Sequence, residues 1–307
     1  MLPFVAPLET LRGTVGLWTS AHESVAPRVH GGVAGEIESL SFSALWFPES
    51  WGRESLTSAS LLLSASSTLV IATGITNIWG RDAVATVNAA RTLNATFEDR
   101  FVLGLGVSHQ PLVERLRGHT YETPLRAMRE YLNAMDAAPM HAYEKDQSYC
   151  RVIAALGPKM LELGAQCADG VHTYLVDVDH TAAARSLVRE KFLGVEQAVV
   201  IGHGREEFLR RAHQHLESYT GLENYRANWR RMGFGSDDFV RGGSERLCDA
   251  MIVHGDCDTI NQRIEDHFSA GADHVCLQVL GPNVATPPSV DWRLVSDGLN
   301  DVRRRRP

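Results

Sequence analysis

Residues Thr68–Asp82, TLVIATGITNIWGRD, decide how the rest of this sequence is interpreted. The stretch opens with the apolar, β-branched run 69–71, which is typical of a buried strand. A loop is predicted to begin at Thr73 and Gly74, and Asp82 is placed to cap a helix that follows it. A polar loop at the carboxyl end of a parallel strand is where α/β proteins place their ligands, although an ordinary connection between strand and helix has the same pattern.

The composition is that of a globular protein without an obvious macromolecular ligand. Of the 307 residues, 44% are hydrophobic and 22% are charged, and the net charge of −7 leaves no broad basic surface, so we expect no nucleic-acid partner. The longest apolar run, 61–73, is too short and too rich in Ser and Thr to span a membrane. The five scattered cysteines form no CxxC pair, which predicts reduced thiols in a cytoplasmic protein rather than disulfides or a zinc site.

Short apolar strands alternate with helices along the whole chain. The predicted strands are 14–19, 43–47, one beginning at Leu69, 101–105, 150–155, 171–176, 197–201 and 274–280. Their continuous apolar character indicates that both faces of the sheet are covered, as in parallel sheets. Eight such units predict one (β/α)8 barrel domain over residues 1–307. A doubly wound sheet is the alternative, but Gly104-x-Gly106 lacks the third glycine of a dinucleotide-binding motif.

Three further features lie outside the predicted strands: a polar segment, two helix starts and the C-terminal residues. Residues 202–243 follow the seventh strand and are polar and helical, and His213 and His215 are predicted to be solvated there. Two helix caps are predicted at Thr123 and Asp258. Residues 284–307 are predicted to form a C-terminal helix and a basic tail.

The loop after the fifth strand, ALGPK, is suited to a phosphate group. Gly157 lets the backbone approach a ligand closely, and Pro158 fits the first turn of the helix that follows. The free amides of that turn and the charge of Lys159 would face an anion. A plain helix start has the same sequence, so phosphate binding is a hypothesis.

The motifs together resemble the luciferase-like monooxygenase superfamily, and within it the branch that depends on coenzyme F420. The resemblance covers nearly the whole chain and is carried by ALWFPE, ATGITNIWGRD, FVLGLGVSH, YETPLRAMREYL, ALGPKMLELGAQCADGVH and DTINQRIEDHFSAGADHVCLQVL. It implies a (β/α)8 barrel that binds the deazaflavin coenzyme F420, with residues 202–243 as an insertion that acts as a lid over the site. FMN is the alternative cofactor, because members of the superfamily that use either one share the barrel.

The resemblance also implies which residues bind the cofactor. A peptide bond that is cis without a proline is implied at Gly74-Ile75, where it supports the ring, and the cofactor phosphate is implied at Gly157, Pro158 and Lys159. The other implied cofactor contacts are Thr76, Asn77, Gly106, Val107, Ser108, Ala154 and Ala155.

The group that handles the proton departs from the family pattern. Several relatives carry Asp-His after the second strand, whereas this chain has Glu49 and Ser50 there. The candidates for general acid or base are therefore His109 after the fourth strand, His22 after the first, and Glu49 itself. A metal site could be formed by His172, Asp177, Asp179 and His180, but they follow a predicted strand without the helical i, i+4 spacing of a zincin, so no metal is expected.

The sequence thus predicts an oxidoreductase that transfers hydride between coenzyme F420 and a small organic substrate. Substrate contacts are expected from Trp18, Trp51 and Tyr174, which lie at or just beyond strand ends. An FMN-dependent monooxygenase that uses O2 and a barrel that has lost its cofactor site are the alternatives. A homodimer is expected by resemblance, and the identity of the substrate is not readable from the sequence.

Overall fold

A computed structural model describes residues 7–50, 52–121, 123–139, 148–283 and 286–305. Within these ranges the chain forms ten strands in one sheet, and every strand pair is parallel. The strands are Thr14–Trp18 (β1), Ala44–Phe47 (β2), Val70–Thr73 (β3), Thr76–Asn77 (β4), Phe101–Gly106 (β5), Cys150–Ala154 (β6), Gly170–Thr173 (β7), Phe192–Ile201 (β8), Ile252–Gly255 (β9) and His274–Val279 (β10).

Eight of these strands close into a barrel. Strand β1 lies between β10 and β2, the order continues through β3, β5, β6, β7 and β8, and β8 pairs with β10 to complete the ring. The register places Leu17 opposite Leu45 and Trp46 opposite Ala72. The (β/α)8 barrel predicted from the sequence is confirmed. All eight strands run in the same direction, so their carboxyl ends gather at one mouth.

The strand predictions missed two short strands and part of a long one. Strand β4 pairs with β5 at the mouth, and β9 pairs with the last residues of β8. Strand β8 begins at Phe192, whereas the prediction began at residue 197. The prediction started too late because the charged Glu196 interrupts the apolar pattern, although Glu196 lies inside the strand. Strands of two and four residues carry too few side chains to show a period.

Helices alternate with the strands. In the described residues they are Pro7–Leu11 (α1), Gly32–Ser39 (α2), Ser55–Ser64 (α3), Ala83–Thr96 (α4), Pro124–Asp136 (α5), Pro158–Cys167 (α6), Val178–Val188 (α7), Arg205–Leu216 (α8), Glu223–Arg231 (α9), Glu245–Met251 (α10), Cys257–Ser269 (α11) and Ser289–Arg305 (α12). None of the helices that the structure describes is long and apolar enough to cross a membrane.

Helix starts follow local side-chain chemistry, with two corrections to the sequence predictions. Asp82 caps α4 as predicted, because its Oδ1 accepts a hydrogen bond from the backbone of Ala85 at 2.9 Å. The predicted cap at Asp258 is wrong: Asp256 caps α11 by accepting from Thr259 N, also at 2.9 Å. Thr123 precedes α5 without making a side-chain cap bond. Asp256 and Asp258 are both good cap residues, so the sequence alone does not choose between them.

Two apolar layers hold the barrel together. Outward-facing strand residues pack under the surrounding helices in a large cluster that includes Ile37, Leu103, Met128 and Trp292. Inward-facing residues form a separate cluster, which Leu8 and Leu11 of α1 complete. Because α1 directly precedes β1, it lies at the amino-terminal end of the barrel, opposite the mouth. A ligand therefore has the mouth as its route into the barrel.

The segment after β8 builds its own apolar core at the mouth. Phe208 of α8 and Trp229 of α9 are fully buried there, together with Leu280 just after β10. The polar helices predicted in 202–243 are thus found as α8 and α9, followed by a 3-10 turn at Ser236–Phe239. Helix α12 continues through Arg305, so residues 303–305 of the predicted basic tail are helical.

Candidate active site

The end of β3 forms a bulge held by its two neighbours in the barrel. The peptide bond between Gly74 and Ile75 is cis, as the resemblance implied. The Gly74 amide donates to Phe47 O at 2.7 Å, and its carbonyl accepts from Trp18 Nε1 at 3.1 Å. Ile75 O accepts from the backbone of Glu49 at 3.0 Å. The last residues of β1 and β2, with the loop after β2, therefore hold this bulge at the mouth.

Two glycines of β5 leave room for the bulge. A Cβ on Gly104 would stand 1.8 Å from Thr73 O, and a Cβ on Gly106 would stand 2.4 Å from the Ile75 side chain. The Ile75 side chain thus rests directly on the backbone of β5. Gly74 and Ile75 are only half-buried although they lie among buried neighbours, so they present an accessible surface at the mouth.

The Glu49 carboxylate stabilises the segment that follows the Gly74–Ile75 bulge. Its Oε2 accepts from the backbone of Asn77 at 2.7 Å, and its carboxylate forms an ion pair with Arg81. The Glu49 side chain is 4% exposed. Glu49 thus ties the loop after β2 both to β4 and to the residues that precede α4. The role of proton carrier predicted for Glu49 gains no support from these contacts.

The two candidate histidines lie in different surroundings. His22 is fully buried, its ring packs on Phe47 with centroids 4.9 Å apart, and burial together with His30 lowers its pKa to about 3. His109 is half-buried at the mouth, with its ring 5.8 Å from that of Tyr225 on α9. Burial lowers the pKa of His109 to about 4. At neutral pH both imidazoles are uncharged, so they can accept a proton but carry no acidic one to give.

The predicted phosphate site lies at the start of α6, on the same mouth. Pro158 is the first residue of this ten-residue helix, and Gly157 precedes it in an extended conformation. Pro158 and Lys159 are exposed. The guanidinium of Arg231, from α9, lies 3.2 Å from the position that a Cβ on Gly157 would take.

Arg231 adds a positive charge that the sequence analysis did not assign. Its Nη2 donates to Asn228 Oδ1 at 2.9 Å, and no carboxylate in the described ranges pairs with it. The neighbouring Arg230, in contrast, pairs with Glu223 at 2.6 Å. An unpaired guanidinium beside a helix N-terminus is well suited to an anion.

The other residues implied as cofactor contacts surround these two features. Val107, Ser108 and Ala154 are half-buried, whereas Thr76, Asn77 and Ala155 are buried. Thr76 Oγ1 bonds the Ser55 hydroxyl at 3.0 Å, and Asn77 Oδ1 accepts from the backbone of Trp79. The side chains of Thr76 and Asn77 are therefore engaged within the protein, whereas Val107, Ser108 and Ala154 present surface to the mouth.

An aromatic cluster lines the remaining side of the mouth. The Tyr174 ring lies 5.2 Å from that of Trp18 and 5.5 Å from that of Tyr219, between centroids. The Tyr174 hydroxyl donates to Gln278 Oε1 at 2.7 Å and bonds the Tyr219 hydroxyl at 2.9 Å. The structure thus brings the predicted substrate residues Trp18 and Tyr174 together. Trp51, the third, lies outside the described residues.

Glu196 is a fully buried carboxyl group beneath this cluster. Its Oε2 accepts from the backbone of Leu175 at 3.0 Å, while its Oε1 has no protein partner. Burial raises the pKa of Glu196 to about 8. Burial also raises the pKa of Tyr219 to about 12, and the nearby Glu196 adds to that rise. All these groups are therefore protonated at neutral pH.

The residues weighed as a metal site are not brought together. His172 points into the barrel and stacks on Trp46 with centroids 4.6 Å apart, whereas Asp177 caps α7 through the backbone of His180. In the part of the chain that the structure describes, no three His, Cys, Asp or Glu side chains are grouped so that they could hold a metal ion.

With this geometry in place, comparison with known proteins assigns the chain to a family. The family model described as luciferase-like monooxygenase matches residues 12–274. The chain belongs to the luciferase-like monooxygenase family. The matched region runs from the start of β1 to the first residue of β10, so it contains the bulge, the start of α6 and the mouth.

Curated relatives of this luciferase-like protein include reductases and a putative coenzyme F420-dependent oxidoreductase of Mycobacterium tuberculosis, which is 29% identical over 107 residues, 35% of this chain and 31% of that protein. A 5,10-methylenetetrahydromethanopterin reductase of Archaeoglobus fulgidus is 28% identical over 160 residues, which are 47% of this chain and 47% of that protein. The chain thus matches about half the length of such curated relatives.

Solved structures show the same fold at low identity. An F420-dependent secondary alcohol dehydrogenase, in complex with an F420-acetone adduct, superposes with a TM-score of 0.74 at 14% identity, over 95% of this chain and 99% of that one. The oxygenating constituent of 3,6-diketocamphane monooxygenase from Pseudomonas putida, in complex with FMN, has a TM-score of 0.64 at 14% identity, over 92% and 95%. At these identities the similarity establishes the fold.

Several residues of the luciferase-like mouth were missed in the sequence. Tyr219, Tyr225 and Arg231 lie in the polar segment after β8, where no motif marks them. His215 was expected to be solvated, and that prediction is wrong, because its Nε2 is buried. Glu196 carried a usable signal, since it is the only charged residue in the ten-residue strand FLGVEQAVVI.

Proposed function

We propose that this luciferase-like protein is a coenzyme F420-dependent oxidoreductase that transfers hydride between the deazaflavin and a small organic substrate. The observation that carries the proposal is the presence of two complementary features at one mouth. One is an accessible surface where Ile75 rests on Gly106, and the other is the start of α6 beside the unpaired guanidinium of Arg231. A flat ring with a phosphate on a flexible chain matches this pair of features.

The residues present fit such a cofactor at both ends. Gly74, Ile75 and Gly106 form a shallow accessible surface for a ring, and a Cβ at position 106 would push the Ile75 side chain off β5 into it. Gly157, Lys159 and Arg231 provide backbone amides and positive charge for a phosphate. When bound, coenzyme F420 supplies a ring carbon that gives or takes a hydride, while the protein orients it and manages the proton. His109 is proposed to lie at the reacting end, as an acceptor of protons.

FMN remains the second candidate, because it also joins a ring to a phosphate and a structural neighbour binds it. With FMN the protein would be a monooxygenase that consumes O2. Loss of cofactor binding, as in a non-catalytic barrel, is disfavoured because both ends of the site retain room and charge. A homodimer and a cytoplasmic location are proposed on the resemblance and on the five free cysteines.

Cofactor titration and oxygen uptake test this proposal. The purified protein is titrated with coenzyme F420 and with FMN by fluorescence, and oxygen consumption is then followed with each reduced cofactor. We expect binding of coenzyme F420 at or below tens of micromolar and no cofactor-dependent oxygen uptake. Oxygen uptake with reduced FMN would establish the monooxygenase instead. Failure of both cofactors to bind would establish the non-catalytic barrel.

Arg231→Gln tests the phosphate end of the proposed site. We expect the dissociation constant for coenzyme F420 to rise by about three- to tenfold, and the loss to shrink at high salt, because a charge-assisted contact is screened. Binding of the deazaflavin riboside, which lacks the phosphate, should not change. The matched control is Arg230→Gln on the same helix, since Arg230 is already paired with Glu223. An equal loss for both ligands in Arg231→Gln would contradict the assignment.

A further inference from the structure

The Tyr219 hydroxyl ends a hydrogen-bond chain that starts inside the barrel. Gln278 is buried, its Oε1 accepts from the Tyr174 hydroxyl at 2.7 Å, and the Tyr174 hydroxyl bonds that of Tyr219 at 2.9 Å. We propose that Tyr219 is the catalytic residue that hydrogen-bonds and protonates the substrate oxygen, and that Tyr174 and Gln278 position it for a neutral ketone or the matching alcohol. This inference rests on the proposed function and names its substrate class.

The direction of the hydrogen-bond chain makes Tyr219 the donor at its outer end. A phenol has one proton, and Tyr174 gives its own to the Gln278 carbonyl oxygen. The Tyr219 hydroxyl is therefore the donor in the bond between the two tyrosines. Without substrate that proton points to Tyr174, and it can rotate to a carbonyl oxygen that arrives at the mouth. The bond to Tyr174 is then given up, and ring packing against Tyr174 and Tyr225, at 5.5 Å and 4.9 Å between centroids, keeps the phenol in place.

The three general acid candidates predicted from the sequence lack a proton to give at neutral pH. His109 and His22 are uncharged at neutral pH because burial lowers the pKa of each. Glu49 is paired with Arg81 and accepts from the backbone of Asn77. Tyr219, in contrast, keeps its proton because burial raises its pKa to about 12. A neutral donor is the kind of group that stabilises negative charge developing on a carbonyl oxygen.

A strained residue fixes the tyrosine pair. Leu175 follows Tyr174 and has a φ of 52°, in the left-handed region that residues other than glycine rarely enter. Its amide donates to Glu196 Oε2 at 3.0 Å, and its carbonyl accepts from Trp229 Nε1 at 3.2 Å. Barrel and insertion thus hold this backbone from both sides, and Tyr174 is directed into the mouth as a consequence.

The lining of the mouth defines the substrate class. Trp18 and Tyr225 present apolar rings around the hydroxyl pair, with Tyr225 4.9 Å from Tyr219 between centroids. A separate cavity of about 60 Å³ reaches Gln278, at the inner end of the hydrogen-bond chain, and is also lined by Arg211 and His215. The His215 Nε2 is buried without a protein partner. An apolar body with one uncharged oxygen suits the aromatic rings around the two hydroxyls, because a charged group would lose its hydration against them.

The proposed step balances for a ketone reduced by the deazaflavin of the proposed function. The carbonyl carbon gains a hydride, so the ketone is reduced by two electrons and the deazaflavin is oxidised. The π bond between carbon and oxygen breaks onto oxygen, and that oxygen takes the Tyr219 proton. Tyr219 then regains a proton from solvent at the mouth. Oxidation of the alcohol is the same step in reverse.

Tyr219→Phe tests the inference, with Tyr131→Phe as the matched control. Tyr131 is also a half-buried tyrosine bonded to a hydroxyl, that of Thr86, but it lies between α4 and α5. The probe is 4-(trifluoromethyl)acetophenone, a neutral ketone whose binding to the cofactor-free protein is followed by fluorine NMR. Its reduction with reduced coenzyme F420 is measured separately, and thermal unfolding confirms that each variant is folded.

We expect Tyr219→Phe to weaken probe binding by about fivefold and to lower kcat for reduction by about a hundredfold or more. Tyr131→Phe should behave as the wild type in both assays. Probe binding that depends on Tyr219 without any reduction would support the substrate site and reject the F420 function. Reduction that persists unchanged in Tyr219→Phe, or a probe that does not bind the wild type, would overturn the inference.

Discussion

Gly106→Ala is expected to raise the dissociation constant for coenzyme F420 by at least about tenfold while the barrel stays folded. A Cβ at this position would stand 2.4 Å from Cγ1 and Cδ1 of Ile75, so the Ile75 side chain must move off β5. The space available to it is the surface on which the ring is proposed to rest. Fluorescence titration measures the loss, and circular dichroism with thermal unfolding verifies the fold.

Two further variants make this result specific. Gly32→Ala is the control, because a Cβ on this exposed residue of α2 meets no atom within 4 Å and cofactor binding should not change. Adding Ile75→Val to Gly106→Ala removes Cδ1, one of the two colliding atoms, and should restore part of the affinity. Unchanged affinity in Gly106→Ala would show that the ring does not rest on Ile75.

Glu196→Gln is expected to remove a loss of stability that the wild type suffers as pH rises. Burial raises the pKa of Glu196 from 4.5 to about 8 in the folded chain. Between these values the unfolded chain binds fewer protons than the folded one, so the free energy of unfolding falls with rising pH, by about 1.4 kcal/mol per pH unit. Glutamine has no proton to release and lacks this slope. The stability of the variant relative to wild type should therefore grow by several kcal/mol from about pH 5 to about pH 8.

Denaturant unfolding at a series of pH values measures this difference, with Glu38→Gln as the control. Burial alone would raise the pKa of Glu38, but hydrogen bonds from the backbone of Ser67, Thr68 and Leu69 lower it below its ordinary value. Glu38 is then ionised in both states throughout the window, so its replacement should shift stability by a constant amount. A constant difference for Glu196→Gln as well would show that the Glu196 carboxyl is not held neutral.

The fold was predictable to the extent that its signals are local. The barrel followed from short continuous apolar runs alternating with helices, and the cap at Asp82 followed from one side chain and its own helix. The prediction was less accurate where two neighbouring residues are equally good helix caps, as Asp256 and Asp258 are before α11. It also shortened β8, because a charged side chain in an apolar run usually indicates a strand end, whereas Glu196 is accommodated inside the barrel.

The candidate site also contains some residues that the sequence marks and others that only the structure identifies. Gly74, Ile75, Gly106 and the start of α6 lie in motifs that are contiguous along the chain, and the structure gathers them at one mouth. Tyr219 and Arg231 come from an insertion whose sequence is polar and helical without a motif. Their positions beside Tyr174 and Gly157 depend on how the insertion folds back over the barrel, through the packing of Trp229.

The sequence by itself determined the barrel, the family and the two contiguous segments proposed to hold a ring and a phosphate, because each depends on neighbours along the chain. Only the tertiary structure decided that Glu49 pairs with Arg81, that His22 is enclosed, and that a buried carboxyl lies beneath a pair of bonded tyrosines. The physical reason is that burial and pairing set the protonation state of a group, and both are fixed by residues far away in the sequence.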